Sequence, residues 1–257
     1  MRKRRSVLKL LTNRRSIRVF KPGKMPDEIA EMILEAGVRA PTYLQSYKII
    51  QVKDKEVKER IADLCEGQDE LIKNAAAVFL ICADLHRTRR MLDLLGHRHV
   101  LKSDKHPVES MSAIIDSAFL IENMIIAAEA LGYGSTVLDY PLVKPREFAN
   151  LFQLPKGVTP LLLLCIGERG EVPPLRPRLP LEAVLSTDRY EDVSDEILED
   201  YLRRLEDSMN RENYVKKYTG LDMKFLEYLR LRTVLDDASK KIYDAVEKYL
   251  KENLMKF

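Results

Sequence analysis

The stretch PVESMSAIIDSAFLIENMIIAAEAL, residues 107–131, decides the architecture. Met111, Ile114, Ile115, Ala118, Phe119, Ile121, Ile125 and Ala128 recur at helical spacings, and Gly132 follows where a helix C-terminus favours a left-handed residue. The helix is apolar nearly all round. It therefore needs cover on more than one side, which a dimer supplies more readily than one small domain. Asp116, Glu122 and Glu129 interrupt it, and no unbroken apolar run reaches the roughly 18 residues of a membrane span. A soluble chain with no membrane partner is expected.

Working outward, Gly134 to Tyr140 reads as a strand, Lys144 to Phe152 as a short helix and Thr159 to Gly167 as an apolar strand. Upstream, Ala75 to Ala83 is apolar on both faces, as a central strand should be, and Tyr47 to Val52 is rich in β-formers. These two are expected to form the core of the sheet. Lys55 to Glu66 is helical by period. The first clear helix runs from about Asp27 to Gly37, with Pro26 or Asp27 at its start and Ile29, Met32, Ile33 and Ala36 on one face. Ala40 to Ser46 reads as an irregular loop. Residues 86 to 106 hold all four histidines and many arginines without a clean period, which predicts a mobile surface segment. Pro173 to Pro180 is a proline-pinned loop. From Asp195 onward the chain is charged and mostly helical, with Ile197, Tyr201, Leu202, Leu205, Leu226, Leu229, Ile242, Val246 and Leu250 on apolar stripes, and reads as an arm or cap. Internal repeats and low-complexity tracts are absent.

The chain has 257 residues, 46% of them hydrophobic, enough to bury a sizeable core. Forty-three basic residues nearly balance forty acidic ones, so the net charge of +3 gives no global attraction to nucleic acid. The charge is local instead: Arg2, Lys3, Arg4, Arg5, Lys9, Arg14, Arg15, Arg18, Lys21 and Lys24 precede the first acidic residue. The apolar run Val7 to Leu11 is short, contains Lys9 and has no cleavage site after it, so a secretory leader is not expected. Cys65, Cys82 and Cys165 lie within apolar or mixed patterns and lack any Cys-x-x-Cys pairing, which predicts buried, reduced thiols and a cytoplasmic protein. His97 and His99 stand two apart with no completing carboxylate or cysteine cluster, so no metal site is expected.

Two basic clusters carry the chemistry. Arg14-Arg15-Ser16-Ile17-Arg18 sets guanidinium forks beside a hydroxyl, which suits a phosphate and a second polar group of one ligand. Arg176-Pro177-Arg178 projects from a backbone stiffened by Pro173, Pro174 and Pro180. Two such patches suit one anion. The loop Pro41 to Ser46 and the turn Gly132-Tyr133-Gly134-Ser135 add small residues and amide donors, useful where a backbone approaches a flat ring. Neither a Gly-x-Gly-x-x-Gly fingerprint nor a Walker lysine loop is present, so nucleotide binding would need another fold.

Taken in order, Arg14-Arg15-Ser16-Ile17-Arg18, Ala40-Pro41 to Gln45-Ser46, Gly67-Gln68, Leu131-Gly132-Tyr133-Gly134, Leu164-Cys165-Ile166-Gly167 and Arg176-Pro177-Arg178-Leu179-Pro180 resemble the FMN-dependent nitroreductases, nearest the larger, NADPH-preferring flavin reductase branch. The resemblance covers roughly residues 7 to 190. It implies an α+β nitroreductase fold: a mainly antiparallel central sheet wrapped by helices in an interlocked homodimer, with two FMN pockets that each draw on both chains. Residues 1–190 would form the FMN-binding domain and 191–257 a C-terminal helical arm or cap within the same compact unit. The resemblance gives Arg14, Arg176 and Arg178 the FMN phosphate, with Arg15 beside them, Ser16 the ribityl or phosphate end, and Arg18 the pyrimidine edge. Pro41, Thr42, Tyr43 and Gln45 would come from the partner chain, Gln68 would reach the ring edge, and Gly134 with Ser135 would offer amides near N5.

The implied reaction takes hydride from NADH or NADPH onto flavin N5 and passes it, in ping-pong turnover, to a small electron-poor acceptor such as a nitroaromatic, a quinone, free flavin or a metal oxyanion. No protein acid or base is required; Arg18 near N1 and O2 would favour the anionic reduced ring. Other readings are a superfamily relative with a different flavin-dependent reaction, dehalogenase-like, a flavin-binding regulator without turnover, and a nucleic-acid-binding protein using its basic N-terminus. Against the last, the chain beyond Lys24 is net negative and no DNA-reading motif follows.

Overall fold

The computed structural model describes residues 7–103 and 106–254; Arg2, Lys3, Arg4 and Arg5 of the basic N-terminus lie outside the described residues. In chain order the elements are α1 (Val7–Asn13), β1 (Phe20–Lys21), α2 (Asp27–Val38), β2 (Tyr47–Val52), α3 (Lys55–Leu64), α4 (Asp69–Asn74), β3 (Ala77–Asp84), α5 (Leu85–Asp93) and α6 (Pro107–Ala130). Then come β4 (Gly134–Leu138), α7 (Tyr140–Val143), α8 (Pro145–Leu151), β5 (Val158–Arg169), α9 (Asp195–Arg211), α10 (Tyr214–Thr219), α11 (Phe225–Thr233) and α12 (Asp237–Asn253). Contacts group these into two units. Among the described residues, one comprises 7–103, 106–173 and 237–254, the other 174–236.

The first unit is built on a five-stranded sheet in which every pairing is antiparallel. β5 pairs with β3 on one edge and with β4 on the other, β1 pairs with its last residues Glu168 and Arg169, and β2 lies outside β3. The register between β3 and β5 shifts at Ile81/Cys82, where Cys82 lies opposite Pro160. Proline has no N–H to give the ladder, so a bulge there keeps the remaining pairs in step.

All eight β3 positions are buried because both faces of the strand are covered. Val78, Leu80 and Cys82 point into one cluster with Ile17, Phe20, Ile61, Ile72, Phe148, Leu163 and Cys165. Their alternates Ala77, Phe79 and Ile81 meet Ile33, Leu120, Met124, Leu164 and Ile166 on the opposite face. Period-two alternation thus splits one apolar strand between two cores, with α3, α4 and α8 over the first and α2 and α6 over the second. α2 and α6 pack closely at Gly37, where a Cβ would come within 2.6 Å of Met124 Cγ.

By length and composition alone α6 would qualify as a membrane span. In the fold, Leu120 and Met124 are fully buried against the sheet, whereas Met111, Ile115 and Phe119 are about half exposed along another face. The helix that is apolar nearly all round is thus covered on one side within its own chain.

The reading of residues 86 to 106 as an irregular segment needs correction. Its first half is helix α5, whose N-cap Asp84 accepts from Arg87 N at 2.8 Å, and Val100–Lys102 form a 3-10 turn. Only Leu85 and Thr88 of α5 are buried, too thin a stripe to stand out among Arg87, Arg89 and Arg90. In the second unit, α9, α10 and α11 pack on one another, and Phe225 N donates to Asn210 Oδ1 at 3.0 Å.

Candidate active site

The Arg14–Arg18 segment runs irregularly between α1 and β1, and its path is set by backbone bonds at both ends. Ile17 is fully buried, and its N–H donates to Ser135 O at 2.9 Å. Beyond it, Arg18 N and Val19 N both donate to Glu171 Oε1, at 2.9 and 3.2 Å, and Gly170 N donates to Val19 O at 2.9 Å. One carboxylate accepting two successive amides fixes the chain locally. The first basic cluster and Gly134–Ser135 at the start of β4, distant in sequence, are thereby brought side by side.

Gly134 shows how close the approach is. A Cβ built there would stand 2.5 Å from Ile17 Cγ1 and 2.9 Å from Ile17 Cβ. Ser135 Oγ and Thr136 Oγ1 are buried without a hydrogen-bond partner among the described residues, so this strand retains unspent polar capacity. Beneath the turn, the Arg169 guanidinium pairs with the buried Glu129 carboxylate of α6 and donates to Tyr133 O at 3.2 Å.

The arginines divide their labour. Arg15 spends its fork on backbone carbonyls, Asn13 O at 3.1 Å and Pro173 O at 2.8 Å. Arg14 is half-buried and has no carboxylate within ion-pair distance among the described residues, and Ser16 beside it is half-buried too. A cation left without an acid partner next to a hydroxyl is a donor set suited to a phosphate. Gln68 occupies the N-cap position of α4 without a side-chain capping bond, and Leu71 and Ile72 of that helix pack in the same cluster as Ile17.

The 40–46 loop is tied to α6 and α5 by a network the sequence reading did not assign. Asp116, 5% exposed, accepts from Thr42 Oγ1 at 2.6 Å and from Ser46 N at 3.3 Å. Arg87 donates to the carbonyls of Gln45 and Tyr47, and Ser46 Oγ meets Thr88 Oγ1 at 2.8 Å. Gln45 adopts φ 52°, and with Thr42 and Ser46 anchored, Pro41 and Tyr43 project outward, Tyr43 84% exposed. Burial holds the Tyr47 phenol above its usual range; Arg87 pulls it down and Asp116 pushes it up, both more weakly. The signal for Asp116 was visible: a charge in an otherwise apolar helix must find partners. Glu171, alone in a proline-rich stretch, gave no such signal.

In the second unit the two proline-loop arginines part company. Arg178 is exposed, with no ion pair among the described residues. Arg176 pairs with Glu212 and lies with its guanidinium carbon 4.9 Å from the Tyr214 ring centre.

The family model described as "Nitroreductase family" matches residues 11–168. The chain belongs to the nitroreductase family. Among its relatives is a Bacillus subtilis FMN reductase [NAD(P)H], 31% identical over 216 residues, covering 83% of this chain and 84% of that one. An oxygen-insensitive NADPH nitroreductase of Salmonella typhimurium is 30% identical over 202 residues, covering 77% and 80%. The structure of B. megaterium NfrA1 superposes with a TM-score of 0.77 at 27% identity, covering 94% of this chain and 98% of that one. The antiparallel sheet between helical layers is therefore the nitroreductase fold, and the α+β class expected from sequence is the one observed.

Other polar features of this nitroreductase-family chain lie elsewhere. A cavity of about 380 Å³ is lined by Leu85, His86, Arg89, Leu101, His106 and Lys156, by the end of β5 opposite Arg169. His97 and His99 stand edge to face at 6.5 Å, and no group of three or more metal-ligating side chains occurs among the described residues. Cys65, Cys82 and Cys165 are buried free thiols. Burial, the leading cause in each, pushes Cys65 and Cys165 up to about 12 and raises Cys82 as well. Ellman's reagent is expected to leave all three unmodified in the native protein at pH 8 and to titrate them on unfolding; fast native labelling would contradict the packing.

Proposed function

We propose that the protein is an FMN-dependent NAD(P)H oxidoreductase of the nitroreductase type, acting on small electron-poor acceptors such as nitroaromatics, quinones or flavins. The observation that carries this is the Arg14–Arg18 segment, locked against Ser135 and Glu171, with the Arg14 guanidinium left without an acid partner among the described residues. Membership of the family and the names of the Bacillus and Salmonella relatives support it. Bound FMN supplies the redox chemistry, taking two electrons as hydride from NADH or NADPH and passing them to the acceptor.

The chain's own residues bind, orient and screen. In the first unit Arg14, with Arg15 fixing the local backbone, serves the phosphate, Ser16 serves the phosphate or ribityl end, and Arg18 places positive charge at the pyrimidine edge. Gly134 and Ser135 offer backbone amides to the reactive edge of the ring, and Gln68 approaches its rim. Pro41, Thr42, Tyr43 and Gln45 act across the partner's flavin, for which the outward Tyr43 is well placed. In the second unit Arg176 and Arg178 serve the phosphate, and the buried Nη1 of Arg176, without a hydrogen-bond partner among the described residues, supports that reading. Residues 1–190 thus bind flavin and 191–257 supply the arm or cap.

The working form is a homodimer. The exposed Met111, Ile115 and Phe119 stripe on α6 supports it, since water-facing apolar side chains on a long helix gain by meeting a second copy. A cytoplasmic location is supported by three cysteines that remain free thiols.

The test is the visible spectrum of the purified protein, before and after anaerobic NADH or NADPH and then a nitroaromatic. Yellow protein that bleaches and reoxidises is expected. Protein that neither binds added FMN nor consumes NAD(P)H would refute the reading. Arg178→Ala is expected to weaken FMN binding at least tenfold while leaving the circular dichroism spectrum unchanged, because a charge-assisted bond to phosphate contributes roughly 1.5 to 3 kcal/mol.

A further inference from the structure

Residues 86–106, rich in histidine and arginine, lie outside the set assigned to flavin, and the fold commits several of them to one cavity. Arg87 of α5 is spent on the carbonyls of Gln45 and Tyr47. His86 and Arg89, three residues apart, share a different face of that helix. At about 100° per residue, Arg89 stands roughly 200° around the helix from Arg87. Their face lines the cavity of about 380 Å³ together with Leu101 and His106 and, from distant sequence, Lys156 and Glu252. Leu85, Leu101 and His106 are buried, whereas His86, Arg89 and Lys156 are exposed. A concave site that joins an apolar wall to a few convergent charges is the usual form of a small-molecule pocket.

The charges of the lining do not cancel. Arg89 Nη2 donates to Leu101 O, which ties the guanidinium to the wall, and no carboxylate stands within ion-pair distance of it among the described residues. Lys156 likewise has no acid partner among the described residues. Glu252 is the acid in the lining, and its carboxylate is already met at 2.9 Å by Arg146, whose guanidinium carbon lies 5.7 Å from the Tyr249 ring centre. Arg89 and Lys156 thus leave two positive charges uncompensated beside an apolar wall. The backbone adds nothing at the start of α5, because Leu85 N and His86 N both donate to Gly157 O, at 2.9 and 3.2 Å, and Arg87 N donates to Asp84 Oδ1. Recognition here falls to side chains.

The cavity is also distant from the contact between Ile17 and Gly134. Gly157 precedes β5, whereas Gly134 pairs with Gly167 near the other end of that strand. Ten residues of strand at about 3.3 Å each set the two places roughly 30 Å apart.

We propose that this cavity is a second ligand site, which binds a small phosphate monoester: the dianionic head lies between Arg89 and Lys156 with His86 as a further donor, and the organic body rests against Leu85 and Leu101. A phosphate monoester carries a charge of about −1.5 to −2 at neutral pH, which matches two cations, and its three acceptor oxygens suit a guanidinium fork beside an ammonium.

The probe is phenyl phosphate, titrated calorimetrically into full-length protein kept saturated with FMN so that the flavin occupies its own anion site. One site per chain is expected. Arg89→Ala is expected to raise the phenyl phosphate Kd about tenfold, as loss of a charge-assisted bond does. Because Arg89 also holds Leu101 O, the decisive variants are at the exposed Lys156: Lys156→Ala should raise the Kd roughly fivefold and Lys156→Glu should abolish binding, both with an unchanged circular dichroism spectrum and an unchanged FMN Kd. No binding at millimolar phenyl phosphate, or binding that survives Lys156→Glu, would overturn the proposal. Succinate bound as tightly as phenyl phosphate would overturn the ligand class, since the cations would then be reading charge alone. A parallel loss of FMN in the Lys156 variants would overturn it too, because the two anions would then share one site.

Discussion

Arg169→Met is expected to lower the unfolding free energy by about 3 to 5 kcal/mol, the usual cost of stripping one partner from a buried ion pair. Glu129 sits on α6 with its side chain 4% exposed, and Arg169 ends β5. Without the guanidinium, the carboxylate stays inside an apolar layer with its main counter-charge removed. The damage should spread toward the site, because Arg169 also donates to Tyr133 O and pairs in register with Phe20 of β1. Urea unfolding followed by circular dichroism measures it. The double variant Arg169→Met/Glu129→Gln should recover most of the loss, since replacing both members of a buried pair is often close to neutral. A single variant that loses less than about 1 kcal/mol would mean that Glu129 is solvated or that its other contacts suffice.

How much of this could be read from the chain depends on what each element buries. β2 was legible to the residue because its run of β-formers announces a strand, and β3, read as Ala75 to Ala83 and observed as Ala77–Asp84, was legible to within two residues because both its faces are covered. α6 was legible from its period and from the glycine that ends it. Its charges were legible as interruptions but not in their role: Asp116 holds the 40–46 loop and Glu129 holds Arg169, and both partners come from distant sequence. α5 was hidden because its buried stripe is two residues wide. α1 was hidden because Leu10 is its one buried residue, within a run dominated by arginine and lysine. Among the candidate site residues, the neighbourhood of Arg14–Arg18 with Gly134–Ser135 was anticipated through a family pattern; local spacing carries no such information. The different fates of Arg176 and Arg178 were not legible, since Glu212 and Tyr214 lie more than thirty residues downstream.

Gly134→Ala tests the heart of the site, and its expected effect on flavin binding is the largest of any conservative change. The added methyl carbon would meet Ile17 Cγ1 at 2.5 Å and Ile17 Cβ at 2.9 Å, distances real carbon atoms do not sustain. Nor can Ile17 step aside, because it is fully buried in the cluster with Phe20, Leu71 and Ile72, and its N–H is fixed to Ser135 O. Its neighbours Ser16 and Arg18 must then move with it. Overpacking of this kind costs about 1 to 3 kcal/mol of stability. For flavin binding the consequence is steeper, since displacement of a charged donor by about 1 Å forfeits most of a charge-assisted bond, and a loss of FMN affinity of at least tenfold is expected. Fluorescence titration with FMN gives the affinity and thermal unfolding the stability. The cause is isolated by Gly134→Ala/Ile17→Ala: the new methyl group then fills part of the space the isoleucine leaves, so the double variant should be more stable than the sum of the two single losses predicts. Strict additivity, or a Gly134→Ala protein that holds FMN as tightly as the parent, would show that the segment tolerates movement. The Arg14–Arg18 cluster would then bind its anion without help from the strand it rests on.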